Sequence, residues 1–118
     1  MTASVRRGPP PVTRLRRIRL LVLDVDGVLT DGRLLYGPAE GEWKAFHVHD
    51  GLALARAAAA GYPVAVVSSR DAAAVRRRMA ELGLRDVYQG VQDKLAVFEE
   101  LCARHAVRPS EAACMGDD

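Results

Sequence analysis

Four short apolar runs recur along the chain and predict the strands of one sheet. They lie at residues 18–24, 62–69, 85–90 and 112–118. The first two, "IRLLVLD" and "YPVAVVSS", are almost continuously apolar, which is typical of strands buried on both faces. The other two, "RDVYQG" and "AACMGDD", are shorter and end in Gly or acidic residues. Each run therefore predicts a buried strand that ends in polar residues.

Three further segments carry apolar residues at helical spacing. We expect the first helix to begin at Asp50 as its N-cap and to stop at Gly61. The second begins after Asp71 in the same role and is closed by Gly83, and the third covers residues 94–106. The apolar stripes predicted to be buried are Ala72, Val75, Met79 and Leu82 in the second helix, and Leu95, Phe98, Leu101 and Cys102 in the third.

A β-hairpin is predicted between the first strand and the first helix. The extended segments "RLLY" and "EWKAFHV" flank "GPAEG", which has the Gly and Pro content of a turn. His47 and His49 alternate with apolar residues, so both are expected on one face of the second hairpin strand. Strands that alternate with helices imply parallel βαβ units. The fold class is therefore α/β, with a doubly wound, mainly parallel, Rossmann-like sheet and a hairpin flap after the first strand.

Charge and composition indicate a basic N-terminal tail and a location in the cytoplasm. The chain has 118 residues, enough for one domain, with 49% hydrophobic and 27% charged residues and a net charge of +2. Six arginines and no acidic residue lie in the first nineteen positions. We interpret residues 1–18 as a basic flexible tail and residues 19–118 as the domain. We expect neither a nucleic-acid nor a membrane partner, since a solvated tail is the simpler interpretation and no apolar run is long enough for a signal or a span. Cys102 and Cys114 are expected to be buried free thiols, consistent with the cytoplasm.

The candidate chemistry lies where the predicted strands end. Because the carboxyl ends of parallel strands meet at one edge of a sheet, ligands bind there. The side chains that follow the four runs are Asp24 and Asp26; Ser68, Ser69 and Arg70; Gln92, Asp93 and Lys94; and Asp117 and Asp118. Carboxylates that converge in one crevice repel each other unless a cation holds them, and oxygen ligands favour Mg²⁺. A carboxylate can then attack phosphorus while a neighbouring Asp moves the proton. A hydroxyl and a lysine suit the phosphoryl oxygens.

The stretches "DVDGVLTDG", "VVSSR", "QGVQDKLAVFEEL" and "MGDD", in this order, resemble the four motifs of haloacid dehalogenase superfamily phosphatases. More narrowly, "FHVHDG" and "YQGVQDK" resemble the capless 3-deoxy-D-manno-octulosonate 8-phosphate phosphatases. The resemblance implies a Mg²⁺-dependent, cytoplasmic sugar-phosphate phosphatase of lipopolysaccharide biosynthesis that has no cap domain and assembles as a homotetramer. It also implies that the chain lacks a C-terminal strand and helix.

The resemblance assigns a role to each matching residue. Asp24 would be the nucleophile and a metal ligand, Asp26 the general acid/base and a metal ligand through its carbonyl, and Asp117 a further metal ligand. Lys94 would stabilise the phosphoryl charge. Substrate-binding residues would be Ser68, Ser69, Arg70 and His49, although Ser68-Ser69 stands where the family often has Thr-Gly. Arg70 could instead pair with Asp71 or Glu81, and His49 could be a solvated residue. Asp31 is expected to be a turn residue, and the role of Asp118 stays open.

Other functions remain as alternatives. Neighbouring subfamilies act on nine-carbon keto-acid phosphates or accompany sialic acid nucleotidyl transfer, and the motifs do not separate them. A phospho-acceptor signalling module also combines acidic residues, a hydroxyl and a lysine. In such modules the acceptor ends the third strand, where this chain has "YQG". A catalytically inactive fold kept for oligomerisation is the third alternative.

Overall fold

The computed structural model describes residues 12–116, without the side chain of Glu40, and its centre is a parallel sheet. The sheet has four strands in the order β5-β4-β1-β6. Their bounds are β1 Leu20–Leu23, β4 Val64–Val67, β5 Asp86–Tyr88 and β6 Ala112–Met115. All three neighbouring pairs are parallel. The predicted α/β class and the four predicted strands are therefore confirmed.

Helices cover both faces of the sheet. They are α2 Val48–Ala59, α3 Ala73–Leu82 and α4 Lys94–Arg104, after a single exposed turn, α1 Val12–Leu15. Side chains alternate along each strand. Val64 and Val66 face the core formed with Leu54 and Met79, whereas Ala65 and Val67 pack with Leu101 of α4. Because helices cover both faces, β4 has no polar face.

The hairpin is shorter than predicted. Its strands are β2 Leu35–Tyr36 and β3 Glu42–Trp43, paired antiparallel around the predicted loop. The segment "AFHV" does not extend the second strand, because α2 begins at Val48. His47 is the N-cap, with its Nδ1 accepting a hydrogen bond from the His49 backbone N–H at 3.0 Å. The prediction that His47 and His49 share a strand face is therefore wrong, as is the prediction of Asp50 as N-cap.

The start of α3 was also predicted wrongly. Its N-cap is Ala72, which has no capping side chain of its own. Gln89, 17 residues away, binds the backbone of this N-cap residue, accepting from the Ala72 N–H at 2.9 Å and donating to the Ala72 carbonyl at 3.2 Å. Asp71 instead pairs with Arg76 at 2.6 Å. The predicted end is confirmed, since Gly83 adopts φ 80°, a left-handed conformation that favours glycine.

Two buried positions were assigned wrongly. Leu95 is 65% exposed, because it lies in the first turn of α4, whereas Leu101 and Cys102 are buried further along the helix. Cys114 is exposed, since β6 pairs only with β1 among residues 12–116. Most of the predicted basic tail, together with Asp117 and Asp118, lies outside the described residues. None of the described helices has the length and apolar character needed to cross a membrane.

Candidate active site

The chain turns sharply where β1 ends, and this turn carries the first two aspartates. The Asp24 N–H donates to the Met115 carbonyl at 2.9 Å, which extends the pairing of β1 with β6. The Val25 carbonyl then accepts hydrogen bonds from the N–H groups of Val28, Leu29 and Thr30. Gly27 has φ 82°, so a side chain there would be strained. The turn fixes the backbone from which the Asp24 and Asp26 side chains project.

Asp24 is contacted by the first residue of α4. The Lys94 ammonium donates to Asp24 Oδ2 at 3.2 Å, while Asp24 Oδ1 accepts from the Val25 N–H at 2.7 Å. Lys94 is held in place because Asp93 is the N-cap of α4, accepting from the Ala96 N–H at 3.0 Å. Asp24 and Lys94 also line a cavity of about 320 Å³. The two side chains with predicted roles at phosphorus thus lie in direct contact.

Ser68 reaches the same edge of the sheet from β4. Leu23 of β1 is paired with Val66 of β4, so the two strands end side by side, and Asp24 and Ser68 lie just beyond their ends. Ser68 is only 2% exposed, and its backbone bonds to the Tyr88 carbonyl and the Val91 N–H. Its hydroxyl oxygen accepts a hydrogen bond from the Arg70 N–H at 3.3 Å. Ser69, next in the loop, is exposed.

Arg70 pairs with a residue that the sequence did not indicate. Its guanidinium donates two hydrogen bonds, from Nε to Glu42 Oε1 and from Nη2 to Glu42 Oε2, both at 3.0 Å. The hydrogen bonds and charge of Glu42 raise the pKa of Arg70 above its ordinary value. The alternative pairings with Asp71 and Glu81 are therefore wrong, since those carboxylates pair with arginines of α3.

The hairpin brings a buried cation to Asp26. The Lys44 side chain is 1% exposed, and its ammonium lies 2.6 Å from Asp26 Oδ1 and 2.9 Å from Glu42 Oε1. Burial alone would lower the pKa of Lys44, but the hydrogen bonds to the two carboxylates outweigh it and raise the pKa. Hydrogen bonds from Arg70 and Lys44 lower the pKa of Glu42 to about 2. Asp26, Lys44, Glu42 and Arg70 therefore form one chain of alternating charges.

Sequence reasoning missed Glu42 and Lys44, although a signal was present. In "EWK" the two charged residues are two positions apart, so both lie on one face of an extended strand, with Trp43 on the other. Two opposite charges on one strand face indicate a polar contact beneath the hairpin. Which residue they contact depends on how the hairpin folds back, and the pattern does not contain that information.

The remaining predicted residues lie apart from these contacts. His49 is exposed in the first turn of α2, and the His47 and His49 rings are 4.8 Å apart. Asp31 is a turn residue, as expected, because its Oδ1 accepts from the Arg33 N–H at 3.0 Å. Within residues 12–116 no three His, Cys, Asp or Glu side chains are grouped closely enough to hold a metal. Gly116, just before Asp117 in the sequence, lies against the Asp24 side chain.

The chain is similar to known phosphatases. No family model matches it. It is 42% identical over 111 residues to the 3-deoxy-D-manno-octulosonate 8-phosphate phosphatase of Salmonella typhimurium, which covers 94% of this chain and 59% of that protein. The Escherichia coli K12 enzyme of the same name is 41% identical over 91% of this chain and 57% of its own length. The chain thus spans less than two thirds of the curated relatives it matches.

Solved structures agree with the sequence comparison. The Moraxella catarrhalis 3-deoxy-D-manno-octulosonate 8-phosphate phosphatase, in complex with magnesium, phosphate and KDO, is 38% identical, with a TM-score of 0.83 over 90% of this chain and 61% of that one. A HAD superfamily subfamily III A hydrolase from Legionella pneumophila is 37% identical, with a TM-score of 0.84 over 91% and 59% of the two chains. Over the part that it spans, the chain is therefore similar in sequence and fold to the 3-deoxy-D-manno-octulosonate 8-phosphate phosphatases and to hydrolases of the HAD superfamily.

Proposed function

We propose that the protein is a Mg²⁺-dependent phosphomonoesterase that works through an aspartyl-phosphate. The observation that carries this proposal is the contact between the Lys94 ammonium and the Asp24 carboxylate where β1 ends. A carboxylate held by a hydrogen bond and a cation has a fixed direction, as a nucleophile for phosphorus requires. The adjacent lysine offers positive charge to the phosphoryl oxygens as bonds change.

The proposed reaction divides the work among residues already described. Asp24 attacks phosphorus, and Asp26 gives a proton to the leaving oxygen and then takes one from the water that hydrolyses the intermediate. Ser68 and Lys94 bind the phosphoryl oxygens, while Ser69, Arg70 and His49 contact the rest of the substrate. The assignment of His49 rests on the resemblance alone, whereas each of the others combines the position of the residue at one edge of the sheet with the resemblance to the phosphatase motifs.

Mg²⁺ would be held by Asp24, Asp26 and Asp117. The donor set fits this ion because all the atoms offered are oxygens. When bound, the ion would offset the repulsion between the Asp24 carboxylate and a phosphate dianion. The magnesium in the Moraxella catarrhalis complex supports the choice of metal.

The proposed substrate is 3-deoxy-D-manno-octulosonate 8-phosphate, which would be hydrolysed to the free sugar acid and phosphate. The names of the relatives support it, as does the phosphate and KDO in the Moraxella catarrhalis structure. We further propose that the protein works in the cytoplasm in lipopolysaccharide synthesis, without a nucleic-acid or membrane partner, and that residues 19–118 form its phosphatase domain. Exposed apolar side chains of Tyr36, Trp43, Val48 and Leu52 support assembly into a homotetramer.

A phosphate-release screen with Mg²⁺ across sugar phosphates tests the proposal. We expect the eight-carbon sugar acid phosphate to be the preferred substrate, and Asp24→Asn to abolish release because the amide is no nucleophile. Thermal unfolding of Asp24→Asn serves as the folding control. Equal release by the variant would contradict the proposed mechanism. A preference for a nine-carbon keto-acid phosphate would keep the chemistry and change the substrate.

A further inference from the structure

A chain of four alternating charges joins three separate segments of the fold. Asp26 comes from the turn after β1, Glu42 and Lys44 from the hairpin, and Arg70 from the loop after β4. The contacts run from Asp26 to Lys44 at 2.6 Å, from Lys44 to Glu42 at 2.9 Å, and from Glu42 to Arg70 at 3.0 Å. The hairpin is therefore tied by charge both to the proposed proton-transfer residue and to the substrate-binding loop.

Lys44 is the central cation of this chain of charges. A lysine side chain is almost never this buried unless it is paired, because its ammonium loses the solvation of water. Both Asp26 and Glu42 compensate that loss, and Glu42 is itself neutralised on its far side by Arg70. Since a neutral side chain would pack there without needing two ionic partners, the buried ammonium calls for a role beyond stabilising the hairpin.

The geometry at Asp26 suggests that role. Lys44 binds only Oδ1, and within residues 12–116 no hydrogen bond reaches Oδ2. The Asp26 side chain is 23% exposed, so Oδ2 can meet water. Pinning one oxygen fixes the plane of the carboxylate and leaves the other oxygen to accept a proton in a defined direction.

We propose that Lys44 is a positioning residue that holds the Asp26 carboxylate for hydrolysis of the aspartyl-phosphate. The inference rests on the proposed function. In that step a water oxygen bonds to phosphorus, the bond from phosphorus to the Asp24 oxygen breaks, and its electron pair returns to the Asp24 carboxylate. The water proton passes to Asp26 Oδ2, which Lys44 keeps aligned through Oδ1. Lys44 itself contacts neither phosphorus nor water.

Kinetics of Lys44→Met separate positioning from a structural role. An aryl oxide leaves without protonation, so with an aryl phosphate the loss of alignment slows breakdown of the intermediate but not its formation. With an aryl phosphate, kcat should fall about tenfold or more, within the range attributed to positioned proton transfer, while kcat/KM changes little. The leaving group should appear in a burst, and phosphorylated protein should accumulate. Lys44→Arg keeps the cation and should recover part of kcat.

Controls make each outcome decisive. Arg33→Met removes an exposed cation near the hairpin, which pairs with Asp31, and should leave both constants unchanged. If Lys44→Met does not fold, Lys44→Gln keeps a hydrogen-bond donor at the same place. It should show a smaller fall in kcat, again with little change in kcat/KM. Equal losses in kcat and kcat/KM without accumulated phosphoprotein, or wild-type kinetics, would overturn the role of Lys44. If the wild-type protein forms no phosphoprotein and releases no phosphate, the proposed function itself fails, and this inference with it.

Discussion

At the residue scale, the carboxylate of Glu42 receives hydrogen bonds from two cations, Lys44 and Arg70. Its side chain is 14% exposed, so water screens these contacts only partly. The hydrogen bonds from Arg70 and Lys44 hold its pKa at about 2, against an ordinary value of 4.5. Glu42 is therefore ionised throughout the range in which the protein would work, and protonating it would weaken both contacts.

This lowered pKa predicts how stability depends on pH. The unfolded chain binds a proton at Glu42 near pH 4.5, whereas the folded protein does so only near pH 2. The stabilisation from Glu42 is thus fully present above about pH 4.5 and is lost as the pH falls towards 2. Glu42→Gln should flatten the fall in the free energy of unfolding across this window, measured by urea titration. Glu81→Gln, at a more exposed carboxylate, is the control. Parallel curves for wild type and Glu42→Gln would refute the prediction.

At the scale of single elements, the first turn of α4 links helix stability to the candidate site. Asp93 caps the helix, and the next residue, Lys94, contacts Asp24. Fraying of this turn would move the lysine away from the carboxylate. A local helix cap and the proposed stabilisation of phosphoryl charge therefore depend on the same few residues.

Substitution of Asp93 separates capping from charge. Asp93→Ala removes the acceptor for the Ala96 N–H and should cost about 1 kcal/mol of stability. It should also lower phosphatase activity, since the first turn of α4 would no longer hold Lys94 in place. Asp93→Asn keeps an acceptor without the charge and should stay close to wild type in both measurements. Urea unfolding and phosphate release would check the pair, and equal effects of Ala and Asn would speak against capping.

Sequence patterns predicted the elements better than their boundaries. Continuous apolar runs locate the buried strands because burial on both faces excludes polar residues. Caps depend on where the chain turns, so the local pattern predicted Asp50 and Asp71 as caps. In the structure His47 caps α2, and the N-cap residue of α3, Ala72, has no capping side chain and is bound by the distant Gln89. The same limit applies to the candidate site. Asp24 and Asp26 follow from a strand end, but the contact of Lys44 with Asp26 arises only when the hairpin folds back.

At the scale of the whole molecule, the position of each strand in the sheet influences which of its side chains are exposed to solvent. β1 lies between β4 and β6, so both of its edges are paired and its end is flanked by two neighbours. β6 pairs on one side only within residues 12–116, and its last residues are exposed. The two thiols differ accordingly: Cys102 is buried on the face of α4 that packs against the sheet, and Cys114 is exposed on β6.

Thiol labelling tests this arrangement. Burial raises the pKa of the Cys102 thiol, and partial desolvation by its neighbours raises the pKa of the Cys114 thiol, so labelling should be slow at neutral pH. One thiol per chain, Cys114, should react with a disulfide reagent in the native protein, and both should react after unfolding. Cys114→Ser should remove the native reaction. Labelling of that variant under native conditions would show that Cys102 is not protected as the fold requires.

The chain of charges through the hairpin also limits how this protein can be altered. A flap beside an active site would ordinarily be exchangeable, in evolution or by design, as an independent module. Here Glu42 and Lys44 leave with the flap, while their partners Asp26 and Arg70 stay behind on the sheet. A grafted hairpin with neutral residues at those two positions would leave the Asp26 carboxylate and the Arg70 guanidinium without their counter-ions. A change made through the flap would therefore have to be matched by changes both in the turn after β1 and in the loop after β4.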